Sequence, residues 1–176
     1  TGCRYDDFMD IGLIDEIPGI PPGNPDHDNP SRCLLWQNVL MGLFDRNIEG
    51  RPVADHYSSL AVRFEAAARR NGEFGTVFEL LTRLCRVLEI KAEFGVRLTE
   101  AYRNRDNAQL KEMADRIIPE LSERVVSLRA FHRDRWMELN KAFGWEVIDF
   151  RYGGLLMNLD TSAKRIGDYL EGRIDR

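Results

Sequence analysis

Apolar residues recur at helical spacing along most of the chain. Tyr57, Leu60, Ala61, Phe64 and Ala68 stand at i, i+3, i+4, i+7 and i+11, the rhythm of one face of a helix. They predict a helix over about 53–71, with Pro52 near its first turn and Gly72 as its stop. Val77, Leu81, Leu84, Leu88 and Leu98 predict the next, from about Phe74 to Arg103.

A third long pattern runs from Leu110 through Ala114, Ile117, Leu121, Val125, Leu128 and Leu139 to Phe143, with Asp106 placed to cap its start. Pro119 falls inside it. Lacking a backbone donor and crowding the preceding turn, it should kink or interrupt the helix. The last pattern covers about Trp145 to Leu170 and contains Gly153-Gly154. Each mid-helix glycine costs roughly 1 kcal/mol against alanine, so the pair implies close approach of another backbone or a local break.

The earliest pattern differs from these. Cys33 to Asp45 reads CLLWQNVLMGLFD, with nine apolar residues in thirteen, spread around nearly the whole helical circumference. A helix over Ser31 to about Phe44 would have to be covered on all sides. Before it, residues 15–31 hold five of the seven prolines together with Gly19 and Gly23, a composition that predicts an extended surface connection. Asn29-Pro30-Ser31 supplies turn and N-cap chemistry at its end.

No stretch alternates as a β-strand does. The pattern therefore predicts an all-α fold: a bundle of about five helices over residues 31–176, preceded by a Pro/Gly-rich extended linker over residues 1–30. The length of 176 residues suits one domain with a leading linker.

Composition narrows the function classes. A formal charge of −4 and a pI near 5.5 argue against a general nucleic-acid binder, whose domain is usually basic. No apolar run approaches the ~18 residues that span a bilayer, which argues against a membrane protein, and no secretory leader is visible. The opening TGCRYDD has no initiator methionine and reads as the interior of a longer protein. Cys3, Cys33 and Cys85 are odd in number and unpaired in spacing, so they read as reduced thiols and point to a cytoplasmic setting.

Motifs for catalysis are missing from the pattern. There is no GxGxxG, phosphate-binding loop or HExxH, and no GxSxG elbow. His27, His56 and His132 lie far apart, so neither a metal nor a cofactor is expected; His56 reads as a cap or packing group at the start of its helix. Glu112, Asp115 and Arg116 read as a solvated helix surface. The run Arg129 to Trp136, RAFHRDRW, mixes cations with aromatics, but Asp134 interrupts it, and arginine stacking on rings is a common packing device.

The segment Arg135 to Gly154, RWMELNKAFGWEVIDFRYGG, is richer. It gathers Trp136, Asn140, Lys141, Trp145, Glu146, Asp149, Arg151 and Tyr152 around a turn at Gly144. Such a set makes either a sugar-stacking or partner-binding surface, or an internal polar network that fixes a helix junction. Composition favours the second.

Taken together and in order, TGCRYDDFMDIG, NPSRCLLWQNVLMGLFD, NKAFGWEVIDFRYGGLLMNL and YLEGRID resemble the C-terminal helical domain of bacterial glycoside hydrolase family 20 enzymes, of the exo-acting β-N-acetylhexosaminidase and glucosaminidase type. The resemblance implies a parent with an N-terminal α+β domain and a (β/α)8 catalytic barrel, whose paired Asp and Glu work with the substrate's 2-acetamido group. It implies no catalytic residue in this chain. It implies partners instead: the barrel of the same parent, a second copy in a homodimer, and the parent's carbohydrate substrate. Trp136, Trp145, Arg151 and Tyr152 are then expected on the side facing barrel, partner or substrate. The competing expectation is a self-standing helical module that binds through Trp136 and Trp145.

Overall fold

The computed structural model describes residues 2–6 and 34–174, without the side chain of Asn47. Of the linker expected over residues 1–30 only residues 2–6 are described; its Pro/Gly-rich part, the caps at Asn29–Ser31, His27 and Cys33 lie outside the described residues. The described residues contain no strand and form five helices, as the periodicity predicts, although the five are not divided as the sequence suggests. No described helix is long and apolar enough to cross a membrane.

After a single turn, α1 (Asp45–Ile48), the helices are α2 (Val53–Arg70), α3 (Gly75–Lys91), α4 (Phe94–Asn104), α5 (Asn107–Glu112) continuing into α6 (Ile118–Leu139), and α7 (Trp145–Leu170). The bounds of α2 and α7 agree with their patterns. Leu60, Phe64, Leu88, Phe94, Leu121, Leu128 and Leu159 carry the common core.

Three expectations are corrected. First, the helix predicted over Ser31–Phe44 does not run to Phe44: among the described residues 34–36 are helical, and turns follow to residue 44. Lys91 takes two of its backbone carbonyls, those of Leu34 and Gln37, at 2.9 and 2.8 Å, removing the acceptors that a continuing helix would use. The Asn38 side chain then accepts from the amide of Leu40 at 2.8 Å, and Gly42 turns left-handed at φ +55°. Tertiary capture of the backbone outweighs local propensity here.

Second, the helix predicted over Phe74–Arg103 is two helices. The chain leaves helical geometry at Glu93, with φ −98° and ψ 4°. Its carboxylate accepts from the amide of Ala54 at 2.8 Å, satisfying a first-turn donor of α2 that has no local cap. Third, the Asp106–Phe143 helix ends at Leu139, where Asn140 becomes extended. Asp106 caps it as expected, accepting from Gln109 N at 2.9 Å. The interruption expected at Pro119 is a π-helical turn, Met113–Ile117, which absorbs the missing donor before α6 begins.

The order of contacts fixes the arrangement. Arg83 meets Ser127 and lies 4.9 Å from the Phe131 ring, while Arg86 O accepts from Arg124, so α3 and α6 run antiparallel. His132 meets Tyr152 and Trp136 meets Trp145, so α7 runs antiparallel to α6. The α2–α3 turn, the α6–α7 turn and the start of α7 therefore share one end of the bundle. Gly2 lies beside the Arg70 guanidinium at the end of α2, which places the incoming chain at that same end.

Candidate functional site

The α6–α7 junction gathers most of the aromatic residues singled out in the sequence. Trp145 and Tyr152 stand one face of α7 apart by two turns, and are 6% and 2% exposed. His132 of α6 lies between them, 5.3 Å from the Trp145 ring and 6.0 Å from Tyr152, both edge-on, a favoured geometry for ring quadrupoles. Trp136 completes one side at 6.3 Å from Trp145. Trp36, from the segment held by Lys91, packs edge-on against Tyr152 at 5.1 Å.

The polar groups of this cluster are satisfied internally. His132 Nδ1 and the Tyr152 hydroxyl are 3.1 Å apart. Burial lowers the pKa of His132 and raises that of Tyr152, so both groups are neutral near pH 7 and share this hydrogen bond. Trp136 Nε1 donates to the carbonyl of Lys141 at 3.0 Å, and Glu146 accepts from the amide of Gly144 at 2.8 Å. Gly144 sits at φ +96° with space for a Cβ only against the Trp136 ring, which explains a glycine at that turn. Arg129 donates to Asp149 at 2.5 Å, and this bond holds the Asp149 carboxyl below its usual range.

Of the four residues expected to face barrel, partner or substrate, Trp136, Trp145 and Tyr152 therefore meet in one cluster. Trp136 keeps a half-buried edge. Arg151 points elsewhere: it is exposed and has no ion-pair partner among the described residues. The basic-aromatic run Arg129–Trp136 is consumed in pairs, with Arg133 on Asp134 and Arg135 on Glu138. His56 packs near the start of α2, its ring 5.4 Å from Tyr57, and Lys111–Asp115 and Arg116–Glu112 are surface ion pairs.

The outer side of α7 was not singled out by sequence reasoning. Phe143 and Phe150 are each 87% exposed, and Val147 and Met157 are also open to solvent. Val147, Phe150, Gly154 and Met157 follow one another three or four residues apart, so they form one stripe. Neither Gly153 nor Gly154 marks a break, because α7 is continuous. A Cβ at either would meet no atom within 4 Å. The signal that finds this stripe was present: α7 is apolar on two sides, as the first stretch is all round.

A second polar centre lies toward the other end. Lys91 is fully buried, and desolvation lowers its pKa to about 7 against the opposing pull of Asp45. Burial raises the pKa of Asp45, opposed by the hydrogen bond from Gln37 Nε2 at 3.2 Å and by Lys91. Gly95 is needed beneath that carboxylate, since a Cβ there would fall 2.2 Å from Oδ2. Periodicity placed Lys91 on a helix but gave no sign that its amine anchors another segment. Among the described residues no group of three His, Cys, Asp or Glu side chains is placed to hold a metal. Cys85 is buried, its thiol pushed up to about 12 chiefly by desolvation.

A family model described as Glycoside Hydrolase 20C C-terminal domain matches residues 6–176. No curated protein matches the chain.

Proposed function

From the glycoside hydrolase 20C C-terminal domain family, to which this chain belongs, we propose a non-catalytic role beside the catalytic domain of an exo-acting β-N-acetylhexosaminidase. In this reading the parent removes terminal β-linked N-acetylhexosamine from glycans. The chemistry lies on its barrel, and the helical domain braces that barrel.

The observation that carries the reading is what the carboxylates do. Glycosidic acid–base work needs two carboxyl groups about 5–10 Å apart across a bound sugar. Here Glu89 and Glu120 serve Arg124, Asp149 serves Arg129, Glu93 caps α2 and Asp45 accepts from Gln37. Glu89, Asp149 and Glu93 tie one helix to another, Glu120 braces Arg124 along its own helix, and Asp45 holds the turn segment at Gln37. Assays with a chromogenic N-acetyl-β-glucosaminide test the assignment: the full-length parent should turn over, and this chain alone should not. Hydrolysis by this chain near the parent's rate would overturn it.

Self-association of the parent is a finer part of the same reading. It is supported by exposed Leu40, Met41 and Leu43 in the turns after the Lys91 anchor, away from the end where the chain enters. Sedimentation of the parent carrying Met41→Glu should then show a dimer weakened toward monomer. An unchanged species would remove that part.

A further inference from the structure

The bundle end that receives the chain is also where the largest exposed apolar side chains gather. Phe74 in the α2–α3 turn, Leu139 and Phe143 at the α6–α7 turn, and Val147 and Phe150 at the start of α7 are all exposed. Several adjoining apolar side chains of this size are enough to mark an interaction surface. Arg151 stands beside the stripe without an ion-pair partner among the described residues. Gly153-Gly154 leaves the helix backbone bare one turn further on, at a cost that an isolated domain has no reason to bear.

We infer that this face, from Leu139 and Phe143 along α7 to Gly154, is the seat of the parent's preceding catalytic domain. The inference rests on the bracing role proposed above and assigns it a surface. The occupant follows from where the chain enters. Gly2 and Cys3 reach the bundle beside Arg70, at the end that carries the stripe. A domain attached through that entry is held near the stripe at an effective concentration in the millimolar range, which no freely diffusing partner matches.

The geometry also specifies what the occupant presents. A bare glycine pair admits a backbone or helix at short axial separation, Phe143 and Phe150 require an apolar recess on either side, and Arg151 calls for a carboxylate. The outer layer of a (β/α)8 barrel consists of helices, which supply such a surface.

The test uses the full-length parent with Phe150→Glu and, separately, Gly154→Leu. Phe150 touches little within its own domain and a side chain at 154 enters open space, so both variants leave the helical domain folded. Native-state proteolysis of the connection between domains should quicken by at least about tenfold in both, because cleavage follows the population of the undocked form. Met41→Glu, on the other apolar surface, should leave that rate unchanged. The inference is overturned if neither stripe variant alters the rate. It is also overturned if they turn a dimer into a monomer with the connection still protected, which would make a second copy the occupant. Hexosaminidase activity is read in parallel: a parent that docks but lacks it leaves this inference standing and removes the proposed function.

Discussion

The two sides of α7 are built from similar residues and have opposite fates. The inner side carries Trp145, Tyr152, Leu155, Leu159 and Ile166, all buried. The outer side carries Val147, Phe150 and Met157, all exposed. What separates them is whether partners of matching geometry exist within the bundle. His132 and Trp36 meet the inner rings edge to face and Trp136 meets Trp145 at a tilt, whereas the outer stripe stays largely open to solvent. Apolar composition states that a surface should be covered, and the neighbours decide by what.

Several substitutions break or sharpen that contrast. Trp145→Ala should cost the domain about 3–5 kcal/mol, the usual loss for an aromatic removed from a packed site, read from denaturant midpoints. A loss under about 1 kcal/mol would mean that the cluster is not part of the core. Lys91→Met removes the amine that holds the Trp36 segment against α7 and leaves two buried carbonyls without their donor. A loss of about 2 kcal/mol is expected at pH 9.

The same residue sets a pH dependence of known sign. Lys91 has a folded-state pKa near 7, below its ordinary 10.5, so between those values the unfolded chain binds the extra proton. Its contribution to stability is therefore complete above 10.5 and lost as pH falls through about 7. Unfolding midpoints of the unaltered domain should rise across that window from this group. The Lys91→Met variant should lack the rise, and its deficit should shrink toward pH 6. Equal deficits at both pH values would contradict a depressed amine.

Gly154→Ala separates the two sides more finely. In this chain alone it should stabilise by up to about 1 kcal/mol, since the added methyl has room and alanine favours the helix. In the parent, the gain should vanish or reverse if another backbone lies there. Phe150→Ser is the smallest effect, within about 0.5 kcal/mol for the domain alone, as for a surface position that packs on nothing. A larger loss would show that the outer side is not free.

The helical fold and two of its helices were legible because long amphipathic patterns specify an inward stripe without reference to a partner. The bounds of α2 and α7 follow from Gly72 and Gly144, whose left-handed backbones stop and start helices locally. The aromatic junction was legible as a concentration of Trp, Tyr and charge, and the internal-network reading fits its hydrogen bonds. Its membership was not fully legible, because Trp36 comes from a segment more than a hundred residues away from Tyr152.

By itself, the sequence determined periodicity, caps and the surplus of apolar surface in CLLWQNVLMGLFD and along α7, since each depends on neighbours within a turn or two. Only the tertiary structure decided that Lys91 would take the carbonyls of Leu34 and Gln37, that Glu93 would leave its helix to cap another, and which apolar side of α7 would be covered. Those outcomes depend on groups brought together from distant parts of the chain. A backbone acceptor taken by a buried lysine amine, or a first-turn amide met by a distant carboxylate, can outweigh propensities worth less than about 1 kcal/mol per residue.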